Sequence, residues 1–318
     1  MKISAVICTH NPRRDYLERT LESLRAQDLA PDQWELIVVD NHSSEPVSGC
    51  CDLSWHPQGR VVVEPELGLT PARLRGLAEA AGEIIVFADD DNVLSTDYLK
   101  QVLAIFAEQP RLGCIGAGIL RPEFESEPLP ETRPYLSYLA LRELDRDVWG
   151  NQLTGWIPWG AGLAVRKAVG VLYREAIARS ALGISLDRKG DSLISGGDDE
   201  FSHVAVAHGW GVGVFTALKI THLIGSKRLA VSYLERLIEA NGATRAMLAR
   251  LHGEEIQPLR PGSLGQLLFL VGKVPLRAFL KGCFGYVTFI RATRFDRRMA
   301  RLQFAGWMGA VVKGGFLK

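Results

Sequence analysis

Long apolar runs are missing from this chain. No uninterrupted stretch reaches the roughly 18 residues that a membrane-spanning helix needs, which excludes a clear transmembrane segment at the level of sequence. The opening Met1-Lys2-Ile3-Ser4-Ala5-Val6-Ile7-Cys8 turns polar too soon for a secretory leader and reads as a strand. Cysteine is scarce: the five are Cys8, Cys50, Cys51, Cys114 and Cys283, an odd count with no CxxC. That excludes a disulfide framework and a structural zinc site, and it fits a reduced, cytosolic protein. Two nucleotide fingerprints are also absent. No GxGxxG follows the first strand, and no GxxxxGK[ST] occurs anywhere.

Net charge is nearly absent too, at +1, but it hides an asymmetry. Ile256 to Lys318 carries eleven Lys/Arg against the single acid Asp296, a balance of +10; the other residues hold 26 basic and 35 acidic side chains, or −9. The chain reads as an acidic body with a basic tail. With 318 residues, 47% hydrophobic and 23% charged, it suffices for one large α/β domain with an appendage.

What is present centres on Ile84-Ile85-Val86-Phe87-Ala88-Asp89-Asp90-Asp91-Asn92. A β-branched apolar run enters three carboxylates, which places acids at the carboxyl end of a buried strand, where open α/β sheets bind ligands. If the backbone stays extended, Asp89 and Asp91 share a face and Asp90 points away. Two readings are open: hard oxygen ligands for Mg²⁺ or Mn²⁺ and a diphosphate, or acids that cap a helix. Upstream, Ile3 to Cys8 and Trp34 to Val39 read as strands that end in the polar clusters Thr9-His10-Asn11 and Asp40-Asn41-His42. Val61 to Glu64 is a third strand. Tyr16, Leu17, Thr20, Leu21 and Leu24 mark one helix, and Leu74, Leu77, Ala78 and Ala81 mark another. This alternation predicts a Rossmann-like, mainly parallel sheet flanked by helices.

The second half continues the pattern. A helix is expected over Asp97 to Glu108 and a strand over Gly113 to Leu120; Glu123 to Arg133 reads as an exposed loop and Tyr135 to Leu144 as helical. Trp156-Ile157-Pro158-Trp159-Gly160-Ala161-Gly162 offers either a flat aromatic platform for a sugar or plain core packing. Gly196-Gly197-Asp198-Asp199-Glu200-Phe201 opens a helix with more acids than a cap needs, and a carboxylate there can act as a general base. His222 follows the apolar strand from Gly211; it is either structural or a ligand of the metal held by Asp91.

In order, Cys8-Thr9-His10-Asn11 with Arg13, Val38-Val39-Asp40-Asn41, Ala72-Arg73, Phe87-Ala88-Asp89-Asp90-Asp91, Gly160-Ala161-Gly162 and Gly197-Asp198-Asp199-Glu200-Phe201 resemble the family-two inverting glycosyltransferases of GT-A fold. The resemblance runs from Ile3 to Ile224. It implies a domain over 1–225 that transfers a sugar from a nucleotide-diphosphate sugar, UDP-sugars being favoured, to a hydroxyl of a glycan or lipid-linked glycan. It also implies roles: Thr9, Asn11, Arg13, Asp40, Arg73 and Asp89 at the nucleotide; Asp91, Asp89 and His222 on Mn²⁺ or Mg²⁺; Asp199 as catalytic base beside Asp198; and Trp159, Gly160, Ala161 and Gly162 around the sugar or acceptor. Two positions depart from the family pattern: Leu74 follows Arg73 where Asn is common, and Asp198 replaces a Glu. The rival readings are a nucleotidyltransferase, which needs a Gly-rich phosphate loop that Thr9 to Arg14 lacks, and a non-catalytic sugar-nucleotide or glycan-binding protein. The resemblance further implies cell-envelope polysaccharide assembly.

The remaining residues, 226–318, are expected to form a basic helical extension. Tyr233 to Leu251 reads as an amphipathic helix. Leu264 to Leu276 is apolar but interrupted. Arg291, Arg294, Arg297, Arg298 and Arg301 are interleaved with Phe289, Ile290, Phe295, Met299, Phe304 and Trp307. This composition suits either an anionic membrane surface, peripheral on the inner face of the cell membrane, or helices packed with a solvated basic face. No nucleic-acid motif accompanies the charge, so nucleic acid is not an expected partner.

Overall fold

The computed structural model describes residues 1–153, 155–180, 186–253, 266 and 293–313. They fall into two compact units. The first comprises Met1–Glu127, Leu139–Ile184 and Gly197–Ser226; the second comprises Pro128–Tyr138, Ser185–Gly196 and Lys227–Lys318.

The first unit is built on strand–helix alternation. In chain order it runs β1 (Ile3–Thr9), α1 (Arg14–Arg25), β2 (Trp34–Asn41), β3 (Gly59–Glu64), α2 (Leu69–Glu79), β4 (Ile84–Asp89), β5 (Asn92–Leu94), α3 (Tyr98–Glu108), β6 (Leu112–Phe124), β7 (Arg142–Glu143), β8 (Val148–Gly150), β9 (Ala164–Arg166), α4 (Lys167–Arg179), α5 (Gly197–Ala207) and β10 (Gly211–Ile224). The sheet order is β3-β2-β1-β4-β9-β6-β10-β5, with β7 on β6 and β8 on β10. The first four strands are mutually parallel, and β10 runs parallel to β6. Only β9, antiparallel to both β4 and β6, separates the two parallel blocks.

The near-continuous apolar strands sort by parity onto two faces. Ile3, Ala5, Ile7, Leu36, Val38, Ile84 and Val86 join α1 and α3 residues in one core. Val6, Ile37, Val39, Ile85 and Phe87 join α2, α4 and α5 residues in the other. Both faces are covered, so the polar residues concentrate at the strand ends.

Three local expectations are corrected. The buried stripe of α2 runs Ala72, Arg73, Gly76, Leu77, while Ala78 and Ala81 are exposed. Gly76 explains the rotation: a Cβ there would strike Val6, so its bare backbone lies against β1 and turns Arg73 inward. The helix expected over Tyr135 to Leu144 is instead a 3₁₀ stretch, Pro130–Leu139, followed by β7. Pro134 inside that segment removes a helical donor, and β6 supplies the pairing. β6 itself extends to Phe124, into the stretch expected as loop.

In the second unit, α6 (Ser226–Leu229) leads to α7 (Val231–Leu251), which packs on α8 (Arg294–Lys313). Glycines set that contact. A Cβ on Gly242 would overlap the Gln303 carbonyl, and one on Gly306 would overlap the Glu239 carbonyl, so the two backbones touch. Arg298 pairs with Glu235 at 2.7 Å, and Gln303 donates to Asn241 at 2.9 Å. Met299, Phe304 and Trp307, among the apolar residues whose pattern suited either a membrane surface or helix packing, are buried in the protein. Arg294, Arg298 and Arg301 are exposed. Leu264 to Leu276, apart from Gln266, together with Cys283, Phe289, Ile290 and Arg291, lie outside the described residues. Among the described residues no helix is long and apolar enough to cross a membrane.

Candidate active site

Parallel register brings the polar ends of the first strands together. Thr9 pairs with Asp40 across β1 and β2, and Cys8 pairs with Asp89 across β1 and β4. The site therefore forms at the carboxyl edge of the sheet, where strand ends leave backbone groups and side chains open to a ligand.

The acidic triplet does not stay extended. β4 ends at Asp89, the chain turns at Asp90 and Asp91, and β5 begins at Asn92. The acids precede a strand, not a helix, which removes the capping reading. The turn also redirects Asp90, expected to point away: its carboxylate accepts the Thr9 hydroxyl. Asn92 fastens the turn, accepting from the Asp89 amide at 3.2 Å and donating to Asp91 Oδ1 at 2.9 Å. The Asp91 carbonyl accepts from Leu223 N–H at 2.9 Å, which ties the turn to β10. That tie brings the buried His222 to the acids: its Nε2 lies 3.3 Å from Asp91 Oδ2. An imidazole nitrogen and carboxylate oxygens form a donor set that fits Mn²⁺ or Mg²⁺ beside a diphosphate.

The nucleotide-side residues divide. Asp40 is buried and organises its own loop, accepting Ser43 N–H at 3.2 Å and Val47 N–H at 3.0 Å. Each oxygen keeps a second lone pair. Asn11 adopts a left-handed φ of 48° and braces the neighbouring loop: Ser44 N–H donates to its Oδ1 at 2.8 Å, and its own N–H donates to Ser43 Oγ at 2.9 Å. Arg13 is exposed and engaged by Asp15 at 2.5 Å and Glu125 at 2.7 Å. Those two carboxylates hold its guanidinium above its ordinary range. Arg73 is buried on α2.

The second cluster meets the first at one glycine. Gly160 N–H donates to Asp198 Oδ2 at 2.7 Å. On its other side Gly160 lies against the Arg73 guanidinium, close enough that any Cβ would collide with it. Asp198 Oδ1 accepts the Asp199 N–H at 3.1 Å, so both Asp198 oxygens serve backbone donors at the start of α5. The turn is closed by Leu163 N–H onto the Gly160 carbonyl at 3.2 Å and by the Tyr98 hydroxyl onto the Gly162 carbonyl at 2.6 Å. Gly162 holds φ +73°, where a side chain is strained. Ala161 turns into the core, while Trp159 is partly buried against it.

Trp159 is backed by a residue that sequence reasoning missed. The guanidinium carbon of Arg142 lies 3.5 Å from the Trp159 ring centroid and 6.0 Å from that of Trp156. Its Nη1 donates to the Ile157 carbonyl at 3.0 Å. No local signal marks Arg142: it stands in a stretch that reads as helix, and pairing with β6 alone puts it here.

Comparison with known proteins agrees with this geometry. Residues 4–165, half of the chain, match the model of Glycosyl transferase family 2. The putative glycosyltransferase EpsH of Bacillus subtilis is 28% identical over 112 residues, covering 35% of this chain and 32% of that protein. The poly(ribitol-phosphate) beta-N-acetylglucosaminyltransferase TarS of Staphylococcus aureus is 28% identical over 152 residues, covering 45% of this chain and 26% of that protein. The chain thus spans about a third or less of the length of these relatives. Among solved structures, the mannosyltransferase PcManGT of Pyrobaculum calidifontis, in complex with GDP-Man and Mn²⁺, aligns with a TM-score of 0.58 at 19% identity over 99% of this chain and 87% of that one. The fold is therefore that of the GT-A proteins, and the chain belongs to glycosyl transferase family 2.

Proposed function

We propose that this protein is a metal-dependent, inverting glycosyltransferase that moves a sugar from a nucleotide-diphosphate sugar to a hydroxyl of a glycan or lipid-linked glycan. The observation that carries the reading is the junction at Gly160, which touches Arg73 of the strand-end cluster and donates to Asp198 of the second acidic cluster. One turn thereby links a donor edge to an acceptor edge. The GDP-Man and Mn²⁺ complex of a protein with the same fold supports a nucleotide-sugar donor and a divalent ion.

In this reading Thr9, Asp40 and Arg73 surround the nucleotide, Asn11 supports its loop, and Arg13 acts from outside through its carboxylate pairs. Asp89, Asp91 and His222 would hold the divalent ion. When bound, that ion offsets charge on the leaving diphosphate. Asp198 is occupied by two backbone donors and acts as a brace. Asp199 is assigned as base on the family resemblance: its carboxylate takes the proton of the acceptor hydroxyl. That oxygen bonds to the anomeric carbon from the face opposite the diphosphate, the bond to the diphosphate oxygen breaks, and the configuration inverts. No enzyme nucleophile is needed. Trp159 and the Gly160–Gly162 turn shape the sugar or acceptor pocket.

The test is incubation with a panel of UDP-, GDP- and TDP-sugars, UDP-sugars first, with Mn²⁺ and hydroxyl acceptors. Release of a nucleoside diphosphate coupled to a new glycosidic bond is expected. Pyrophosphate release from a nucleoside triphosphate, or donor binding without turnover on any acceptor, would count against the reading.

A further inference from the structure

A charged group is buried beside the acceptor turn with two of its N–H groups unmatched. Arg142, on β7, is only 6% exposed. Its Nη1 bonds the Ile157 carbonyl and its face lies on Trp159. Its Nε and Nη2 are shut off from solvent and meet no acceptor among the described residues. These two atoms project along one edge of the guanidinium, the edge that grips a carboxylate or phosphate through two parallel N–H···O bonds. Leaving such donors unmatched costs stability, and more so when the group is charged. Burial draws the Arg142 guanidinium down to about 10, against the opposing pull of Asp198 and Asp199. The two carboxylates thus act on the cation through space while its fork stays unfilled.

We propose that the Nε–Nη2 edge of Arg142 is a binding subsite for an oxyanion, a carboxylate or a phosphate, carried by the acceptor. The assignment to the acceptor rests on the reading of Asp198 and Asp199 as the acceptor side. Trp156 borders the same guanidinium. The residue is 48% exposed and its ring centroid lies 6.0 Å from the guanidinium carbon, so an incoming group reaches the fork from the Trp156 side. The two oxygens then take the N–H groups in plane while Trp159 stays stacked on the face. An acceptor without a charged group leaves the fork empty, so the subsite selects among acceptors by charge.

Tryptophan fluorescence reads occupancy directly, because Trp156 and Trp159 flank the guanidinium. The full chain is titrated at constant ionic strength with glycerol phosphate and with methyl glucuronide; glycerol and methyl glucoside serve as neutral controls. Saturable binding of the two anions is expected, weakened about tenfold or more in both Arg142→Met and Arg142→Lys. The lysine variant keeps the charge but not the fork, so it decides the question if the methionine variant does not fold. Absence of a saturable anion response in the native protein, or an undiminished response in Arg142→Lys, overturns the proposal. Adding UDP distinguishes the sources. Anion binding that persists beside saturating UDP supports the acceptor. Anion binding abolished by UDP, together with a preference for UDP-glucuronate over UDP-glucose that Arg142→Lys loses, moves the oxyanion to the donor and overturns the acceptor assignment. UDP binding is scored by itself: if UDP fails to bind while the anions do, the nucleotide-sugar reading fails and the Arg142 subsite stands.

Discussion

Asp198 is fixed by the backbone around it. Both Asp198 oxygens accept backbone N–H groups, and one of those donors is the glycine that lies against Arg73. Asp199→Asn is expected to bind donor as the native protein does while transfer falls about a hundredfold or more, measured as glycoside formed against UDP affinity by calorimetry. Near-native transfer would move the base elsewhere. Asp91→Asn should act on the other half, weakening Mn²⁺-dependent nucleotide binding while leaving metal-free binding unchanged; equal weakening with and without Mn²⁺ would remove Asp91 from the metal. The two acidic clusters and His222 stood out in sequence as candidates, each beside a structural alternative: acids also cap helices, and a lone histidine is also core. Arg142 did not, because a lone arginine in a stretch that reads as helix is unremarkable until its neighbours from β6 and the Trp156–Trp159 segment are in place.

At the scale of elements, the turn before β9 depends on one backbone conformation. Gly162 holds φ +73°, and a Cβ there would press on the Tyr98 hydroxyl and on Ile220. Gly162→Ala is expected to destabilise the fold by about 1–3 kcal/mol, read from the denaturant midpoint. An unchanged midpoint would mean that the turn relaxes at no cost. In the second unit, Gly306→Leu should separate α7 from α8 and lower the melting temperature, because backbone contact leaves no room for a side chain. The strands were readable from their apolar runs, and β1, β2 and β4 lie where the pattern put them. The face of α2 was not readable, since Gly76 selects it through its contact with Val6 rather than through periodicity. β7, two residues long, has no sequence signal of its own and exists through its pairing with β6, whereas β9 lies where the small residues after Trp159 lead into a strand.

For the molecule as a whole, acid sensitivity has an identifiable source. Glu35 is buried where β2 starts. Burial alone would raise its pKa, but bonds from Ser4, Arg60 and the Ala81 amide outweigh that and hold it below the ordinary glutamate value. A depressed folded-state pKa contributes stability in full above the unfolded value of about 4.3, and this contribution is lost as pH falls through the folded value. Glu35→Gln should therefore lower stability at neutral pH and flatten its decline below about pH 4.3, followed as the urea midpoint against pH. A decline as steep as that of the native protein would assign acid sensitivity to other carboxylates.

The contact between Asp91 and His222 also has a meaning in time. The two residues are 131 positions apart, and they meet only when β10 enters the sheet between β6 and β5. During synthesis, β1 to β4 can pair while His222 has yet to be made. Pairing across so long a separation comes late, because the loop must close before any contact rewards it. The proposed ion site would thus be withheld from partly folded chains, and capture of a divalent ion by the Asp91–His222 pair would report that the sheet has closed.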